Sequence, residues 1–421
     1  MTLAEILPSL RASIRPELDP AIWPVTARWG THGDLLAGGV RMAAVAAAHG
    51  TPAHVVDEAT VRARCAEYAA AFGPESVAYS AKAGLTVPLG RWIARPGLGC
   101  YVGSAAELRT ALLAGFRPDR LVLHGAAKSV TDLDAAYACG AAVIAGTPRE
   151  IESLSARAPS GQRVHLRVVS SAAARGRGRY GFGLGSGTAL TAIETVRHSP
   201  NLVLAGLDCS IGHQLSRFRA FEACLREAMA FCAVIQARRG PVVPRLNLGG
   251  GHAVAYTGGD DGFAVHAFAN RMRAMLCLAA DRHGIDQPGL TVSPGRALVA
   301  GAGLTLHRVV SVRSEAGRLT VVLDGRVADC ATAEGCAGRH SANLIGRVSR
   351  APLHPATVAG GPEDDRRVVC SDLRLPADVA DGDLVAVAGT GAYHHRRDDF
   401  AGRPPVLGVG DGLARSLAQA G

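Results

Sequence analysis

Lys82 is the residue of this sequence whose type and setting best suit covalent chemistry. It stands in Ser80-Ala81-Lys82-Ala83-Gly84, directly after the apolar run Val77-Ala78-Tyr79. This placement predicts a lysine at the end of a buried strand, where a buried ammonium needs a depressed pKa or a fixed anionic partner. Such an amine can form a Schiff base, but a lysine that extends its head into water gives the same local pattern.

Two loops that follow strand-like runs contain glycines that could bind an anion. Gly249, Gly250 and Gly251 come directly after an apolar segment, and residues without a Cβ expose backbone N–H groups that can hold a phosphate. The second loop, Ser293-Pro294-Gly295-Arg296, adds an arginine. We expect both loops to bind the same anion.

A third glycine motif resembles a dinucleotide-binding loop but lacks its context. Gly176-Arg177-Gly178-Arg179-Tyr180-Gly181 fits the spacing GxGxxG. No helix begins at its glycines, arginines crowd the loop, and no acidic residue follows at the distance that a ribose requires. We therefore do not expect a nicotinamide site.

The elements that must position these residues have the pattern of a TIM barrel. From about residue 52 to residue 300, short β-rich runs alternate with alanine-rich helical stretches such as Ser104–Ala114 and Phe218–Arg239. Eight such units favour a (β/α)8 barrel, in which chemistry sits at the carboxyl ends of the strands. The predicted strands are Val77–Ala83, Gly99–Gly103, Leu121–Gly125, Ala142–Ala145, Val164–Val169, Leu202–Cys209, Arg245–Leu248 and Leu290–Ser293.

The remaining segments indicate further organisation around the barrel. We predict an α/β fold with an N-terminal extension (1–50), a barrel (51–300) and a C-terminal all-β domain (301–421), and we expect the extension to pack on the β domain. The predicted strands of the β domain are Leu306–Val312, Leu319–Asp324, Arg367–Cys370 and Leu384–Ala388.

The composition predicts a protein with a large core and a small anionic ligand. The 421 residues are 48% hydrophobic and 19% charged. The aromatic content of 5% argues against nucleic acid as the main partner, whereas the net charge of +9 suits an anionic cofactor or substrate.

The ten cysteines indicate a reduced protein rather than a disulfide or zinc scaffold. They are spread along the chain and none forms a CxxC pair. We expect no targeting segment, because an acid lies within Met1–Glu5 and no basic segment precedes a long apolar one, and no run reaches membrane-spanning length. We expect a cytoplasmic protein with no membrane contact and no metal site.

An ordered series of motifs carries a resemblance to a known family. The series is Thr51–Glu58, Tyr79–Ala83, Gly103–Leu108, His124–Ser129, Leu166–Val168, Gly206–Gln214, Gly249–Gly251, Pro294–Arg296, Val369–Asp372 and Gly391–Tyr393. In order and spacing it resembles the fold-type III pyridoxal-phosphate-dependent decarboxylases, the family of diaminopimelate and ornithine decarboxylases, whose barrel is related to alanine racemase.

The resemblance implies a pyridoxal 5'-phosphate enzyme that decarboxylates an amino acid or an amino-acid-derived intermediate. It implies that Lys82 forms the Schiff base, that Gly249, Gly250, Gly251 and Arg296 hold the phosphate, and that Tyr393 reaches the site. Arg296, Asp372 and Tyr393 are then also expected to contact substrate.

The resemblance also implies a homodimer with a shared active site. Cys370 corresponds to the cysteine that the partner subunit supplies, and it would protonate the carbanion left by decarboxylation. A free cysteine is, however, also a common small core residue.

Several family positions have changed in this chain. Ser293 replaces the acid that keeps the pyridine nitrogen protonated, which predicts a weaker electron sink, and Tyr101 replaces another acid. Ser210 stands where a histidine stacks on the cofactor, and His213 stands where a serine is usual, so both are expected to bind cofactor. The shortened Cys370-Ser371-Asp372 makes the substrate-binding role of Asp372 less secure.

Three functions fit these residues. The first is a decarboxylase that works with a neutral pyridine beside Ser293. The second is a racemase or epimerase on the same fold, for which a weaker electron sink suffices and Tyr393 or Cys370 would donate the second proton. The third is a non-catalytic protein that binds the cofactor, against which the retained Lys82, glycine run and Arg296 argue. We favour the decarboxylase.

Overall fold

The computed structural model describes residues 17–171, 180–238, 240, 242–325, 339–360, 368–393 and 404–418. Its contacts divide the chain into two compact units. The first, here called the barrel unit, comprises Arg62–Ala253 and Phe263–Leu298. The second, here called the β unit, comprises Met1–Val61, Val254–Gly262 and Val299–Gly421. The rejected dinucleotide motif at 176–181 lies, except for its last two residues, outside the described residues.

The strands, in chain order, are β1 (Arg28–Trp29), β2 (Leu35–Ala37), β3 (Val40–Arg41), β4 (Ala53–Asp57), β5 (Ala78–Ser80), β6 (Gly99–Val102), β7 (Leu121–Leu123), β8 (Ala142–Ala145), β9 (Gln162–Val169), β10 (Phe182–Gly183), β11 (Leu202–Cys209), β12 (Arg245–Asn247), β13 (Gly289–Thr291), β14 (Gly303–Glu315), β15 (Arg318–Leu323), β16 (Ala342–Ile345), β17 (Leu353–Gly360), β18 (Val368–Pro376), β19 (Leu384–Ala388), β20 (Val406–Gly410) and β21 (Leu413–Ser416).

The α-helices are α1 (Met42–His49), α2 (Glu58–Phe72), α3 (Val87–Ala94), α4 (Ala105–Leu113), α5 (Val130–Cys139), α6 (Pro148–Arg157), α7 (Gly187–His198), α8 (Arg219–Ala237), α9 (Val265–His283) and α10 (Arg296–Val299). Within the described part of the chain, no helix is both long and apolar enough to span a membrane.

The barrel unit is the predicted (β/α)8 barrel, and all eight predicted strands are present. They are parallel and lie in the order β5-β6-β7-β8-β9-β11-β12-β13, with the short β10 paired to β9. A bridge between Val77 and Val292 joins the first strand to the last, where Ala78 N donates to Val292 O at 3.0 Å. The prediction of the fold class is confirmed.

The strand that precedes Lys82 ends earlier than predicted. β5 stops at Ser80, and Ala81–Ala83 forms a turn of 3-10 helix, so the prediction of a strand through Ala83 is wrong. Gly84 ends this turn at φ 128°, a conformation that favours glycine, and its carbonyl accepts a hydrogen bond of 2.5 Å from Tyr79 Oη. Lys82 therefore lies on a turn at the carboxyl end of the strand.

Hydroxyl residues at the strand-to-helix connections start the helices of the barrel. The side chains of Thr86, Ser104, Ser129, Thr147 and Ser186 each accept a hydrogen bond from the backbone N–H three residues later. Each satisfies one of the N–H groups that a helix start leaves unpaired.

The β unit is built around the long strand β14. It pairs antiparallel with β15, β19 and β4, and β4 in turn pairs in parallel with β20. β4 thus belongs to this unit although it lies inside the segment 51–300. Ile22 and Trp23, near the start of the described chain, share a buried cluster with Leu304, Leu306 and Leu407.

A buried histidine lies among the aromatic side chains of the barrel helices. The ring of His252 stacks on Phe263 with centroids 4.3 Å apart and meets Phe221 and Phe268 edge-on. Its Nδ1 is 2.8 Å from Tyr68 Oη. Burial lowers the pKa of His252 to about 3, so the imidazole is neutral in the folded protein.

We predict that the free energy of unfolding falls as pH decreases from 7 to 5. The unfolded chain protonates its histidines near pH 6.5, whereas folded His252 does not bind a proton until about pH 3. A His252→Gln variant, which can still pair with Tyr68, should lower the dependence of the unfolding free energy on pH by about 1 kcal/mol per pH unit over this range. Urea unfolding at several pH values measures this pH dependence. The control is His283→Gln, at the exposed end of α9. Equal pH dependence in the two variants would refute the low pKa of His252.

Candidate active site

Polar side chains meet inside the barrel near the carboxyl ends of five strands or their following loops. Asp208 on β11 is in register with Arg167 on β9 and with Asn247 on β12. Tyr101 lies on β6, and Ser293 follows β13. Because alternate residues of parallel strands point into the barrel, these side chains converge at one level.

Hydrogen bonds join these five residues into one network. The Asp208 carboxylate, 1% exposed, forms an ion pair with the Arg167 guanidinium and accepts a hydrogen bond of 2.6 Å from Asn247 Nδ2. The same Nδ2 lies 2.7 Å from Tyr101 Oη and 3.3 Å from Ser293 Oγ. Asn247 Oδ1 accepts from Gly249 N at 2.9 Å, which ties the network to the glycine run.

The network makes its surroundings unfavourable for further negative charge. Burial, and then the nearby Asp208 carboxylate, raise the pKa of Tyr101 well above its usual range. His124, whose ring centroid is 6.1 Å from that of Tyr101, has its pKa lowered to about 4 by burial and then by Lys82. Tyr101 is therefore a neutral phenol and His124 a neutral imidazole at neutral pH.

Lys82 is not the buried lysine that the sequence predicts. Its side chain is exposed on the turn after β5, so the expectation of a buried ammonium is wrong. Its positive charge nevertheless acts on His124, which places the amine near the polar network. Lys82 is accessible to a ligand at the carboxyl end of the barrel.

The chain has only one other lysine, Lys128, and this residue is the buried one. Its side chain is 3% exposed, and Nζ lies 2.5 Å from Glu150 Oε1 and 2.6 Å from Gly125 O. Tyr180 Oη is 3.1 Å from Nζ and donates to Glu150 Oε2 at 2.7 Å. Burial lowers the pKa of Lys128, and the ion pair with Glu150 opposes that shift. Its donors are occupied by the protein, so its role is structural.

The predicted phosphate loop is packed too tightly for side chains. A Cβ at Gly249 would lie 2.6 Å from Cys209 O, and a Cβ at Gly250 or Gly251 would collide with the carbonyl oxygen of Ser293 or Gly212. Among the described residues, the N–H groups of Gly250 and Gly251 have no hydrogen-bond partner. Two such donors at a strand end form a concavity that suits an anion.

The loop with Arg296 packs on the turn with Lys82. Ser80 N donates to Pro294 O at 3.0 Å, and a Cβ at Gly295 would lie 3.1 Å from Ser80 O and 3.2 Å from the Ala83 Cβ. Arg296 is buried where α10 begins. The structure therefore brings together Lys82, the glycine run and Arg296.

Ser210 and His213 lie beside the glycine run, as expected of ligands to a shared group. A Cβ at Gly249 would be 3.9 Å from Ser210 Cα, and a Cβ at Gly251 would be 3.2 Å from His213 Cα. Ser210 is half-buried and His213 is exposed. Whether either contacts the cofactor stays a prediction.

The remaining predicted site residues belong to the β unit. Cys370 is buried in an apolar cluster with residues such as Val309 and Val358, whereas Asp372 on the same strand is exposed. Tyr393 is half-buried and has a positive φ of 68°. Their roles in catalysis or substrate binding stay predictions.

Sequence reasoning did not single out the polar network or the Lys128 pair. One usable signal was the alternation of His165 and Arg167, which puts two polar side chains on one face of the predicted strand Val164–Val169. The other was the presence of only two lysines in the chain.

We predict that Asp208→Asn lowers the free energy of unfolding by about 2–3 kcal/mol, because Arg167 loses its buried counter-charge. The value is at the low end for buried pairs since the Arg167 side chain is 24% exposed. In urea unfolding, adding Arg167→Met should cost less than the sum of the two single changes. The control is Glu194→Gln, whose partner in the exposed pair is Arg197; an equal effect there would contradict the prediction.

Comparisons with known proteins identify the family of this chain. Residues 58–300 match the family described as pyridoxal-dependent decarboxylase, pyridoxal binding domain. Diaminopimelate decarboxylase of Actinosynnema pretiosum is 38% identical over 100% of this chain and 97% of its own length. Diaminopimelate decarboxylase of Mycobacterium tuberculosis is 32% identical over 94% of this chain and 95% of its own length.

Solved structures share the fold. Diaminopimelate decarboxylase from M. jannaschii has a TM-score of 0.82 at 22% identity and covers 94% of this chain and 95% of that one. Lysine/ornithine decarboxylase from Vibrio vulnificus has a TM-score of 0.74 at 19% identity, with 87% and 97% covered. The full-length relatives are decarboxylases, which confirms the favoured function over the racemase and the non-catalytic protein. The chain therefore belongs to the fold-type III pyridoxal-phosphate-dependent decarboxylase family and is an amino-acid decarboxylase.

Proposed function

We propose that this enzyme releases carbon dioxide from diaminopimelate and that Lys82 is its covalent anchor for pyridoxal 5'-phosphate. The observation that carries the anchor is the contrast between two lysines. Lys128 is paired with Glu150 out of reach of water, whereas Lys82 is exposed beside the loop that contains Arg296. The choice of substrate is supported by the full-length relatives, which are diaminopimelate decarboxylases.

The residues at the barrel's carboxyl end fit the cofactor. The N–H groups of Gly250 and Gly251, which have no partner among the described residues, and the guanidinium of Arg296 would hold its phosphate. Ser210 and His213, which border the same glycines, would contact the cofactor from the neighbouring loop. When bound, the cofactor supplies the conjugated ring that accepts the electron pair left by the departing carboxylate.

The protein's own groups would then control protons. Lys82 would hold the cofactor, and its amine would be available to carry protons at this end of the barrel. His124 is neutral at neutral pH because burial lowers its pKa to about 4, so its ring can donate or accept a hydrogen bond without adding a charge.

Ser293 would set the charge of the cofactor's ring nitrogen. Its hydroxyl carries no charge and lies 3.3 Å from Asn247 Nδ2. The carboxylate of the network, Asp208, already neutralises Arg167. A serine at this position would leave the ring nitrogen unprotonated and would weaken the electron sink.

Three residues of the β unit and a second copy of the chain also belong to the proposed site. We propose that Cys370 serves as the acid after decarboxylation and that Tyr393 and Asp372 contact substrate, in a cytoplasmic homodimer with a shared site. Because Cys370 is buried in an apolar cluster, Cys370→Ser separates two roles: loss of carbon dioxide release at unchanged stability supports the acid, and loss of stability alone supports packing.

We predict that borohydride reduction of the cofactor-loaded enzyme attaches the cofactor to Lys82. Mass spectrometry of peptides can decide between the two lysines without relying on turnover. Lys82→Ala should lose the attachment and at least about 10³-fold in release of carbon dioxide from diaminopimelate.

Lys128→Met is the matched control, and it should keep the attachment at Lys82 even if it lowers stability. Attachment to Lys128, or an unchanged cofactor spectrum in Lys82→Ala, would refute the anchor. If the anchor holds but lysine, ornithine or another amino acid is decarboxylated faster than diaminopimelate, only the substrate is wrong.

We predict that Ser293→Glu retains or increases decarboxylation, because a carboxylate there can hold a proton on the ring nitrogen. The absorbance spectrum of the bound cofactor should change its pH dependence, whereas Ser293→Ala should resemble the wild type. A collapse of activity in Ser293→Glu with the cofactor still bound would show that the reaction requires the neutral ring.

A further inference from the structure

A cavity opens at the amino ends of the barrel strands, opposite the proposed active site. Its volume is about 420 Å³, within the range of small-molecule sites. Small residues on several strands leave this space, among them Ala78, Gly99, Ala142 and Ala205. Barrels of this kind are usually filled by branched side chains, so the space is unusual.

Three arginines surround the opening of this cavity. Arg120 Nη2 donates to Pro74 O at 3.0 Å, Arg163 to Asp119 O at 2.9 Å and Gly140 O at 3.0 Å, and Arg245 Nη1 to Glu75 O at 3.2 Å. Backbone carbonyls thus hold the guanidinium groups in place. None of the three forms an ion pair with a described residue.

The acids that line the cavity offset the charge of these arginines only in part, since Asp119 and Glu75 act on Arg120 but form no ion pair with it. Asp119 is paired with Arg117 outside the cavity, with Arg117 Nη2 at 2.8 Å from its Oδ2. Glu75 is the other acid of the lining. Burial and then repulsion by Arg245 lower the pKa of Arg120, so the positive charges are crowded.

A buried histidine adds an unused polar group to the lining. His165 is at least nine-tenths buried, and its Nδ1 has no hydrogen-bond partner among the described residues. Its pKa is lowered to about 4 by burial, so a ligand would meet a neutral imidazole. An unpaired buried polar atom costs free energy that a ligand or a water can recover.

We propose that this cavity binds a small organic anion, a carboxylate with a short apolar body. The carboxylate would pair with Arg120 and Arg245 at the opening, and the apolar part would fill the space between Ala78, Ala142 and Ala205. A bare inorganic anion would use the arginines but leave the apolar space unfilled.

Calorimetric titration of the cofactor-loaded enzyme with pentanoate tests this site. Pentanoate should bind, and pentylamine should not. Sulfate should bind at least tenfold more weakly than pentanoate. Arg245→Gln should weaken pentanoate binding roughly tenfold through loss of a charge-assisted contact. Arg109→Gln, at an exposed position of α4 outside the cavity lining, is the matched control.

Filling the cavity provides a second test that does not depend on charge. Ala142→Leu should abolish pentanoate binding while the cofactor spectrum stays unchanged; if this variant fails to fold, Ala205→Val replaces it. Wild-type binding no tighter than that of sulfate, or equal binding in the filled variant, would overturn the proposal. Both results are independent of which lysine anchors the cofactor.

Discussion

The ion pair of Arg167 and Asp208 is the interaction on which the interior of the barrel depends. A carboxylate that is 1% exposed must be neutralised and fully hydrogen-bonded, or its burial would cost several kcal/mol. Arg167 supplies the charge and Asn247 supplies a donor at 2.6 Å. Because Asn247 Oδ1 also binds Gly249 N, satisfying the carboxylate orders the start of the glycine run. The proposed phosphate loop is therefore positioned by a charge that does not contact the phosphate.

The two lysines illustrate how environment divides roles between identical side chains. Lys128 has Glu150, Tyr180 and a backbone carbonyl around its amine, which uses its donors and keeps it charged. Lys82 is on a short turn that packs on the loop of Arg296 and stays exposed. An amine that must exchange partners during a reaction needs that access, whereas the buried pair stabilises the loops around it.

The fold could be predicted from the sequence further than the site could. Eight buried parallel strands give apolar runs at regular spacing, so the number of strands and the fold class were predictable. Only the ends of the strands were placed wrongly, as at Ser80. The exposure of Lys82 was not predictable, because it depends on the turn that the hydrogen bond between Tyr79 and Gly84 closes. The pairing of β4 with β14 and β20 joins residues hundreds of positions apart, which no local pattern specifies. The polar network required knowing that Asp208 is in register with both Arg167 and Asn247.

The layer of side chains formed by Arg167, Asp208 and Asn247 also separates the two ends of the barrel interior, which differ in their chemistry. Tyr101 binds Asn247 through its hydroxyl and is also one of the residues that line the cavity at the amino ends of the strands. His165 and Arg245 lie two residues before Arg167 and Asn247 on the same strands, and their side chains point to the same interior one level lower. Above the layer, the exposed amine and the glycine N–H groups suit a phosphate-bearing cofactor; below it, crowded arginines surround apolar space. The hydrogen-bonded network of Arg167, Asp208 and Asn247 lies between these two environments, so each can keep its own distribution of charge.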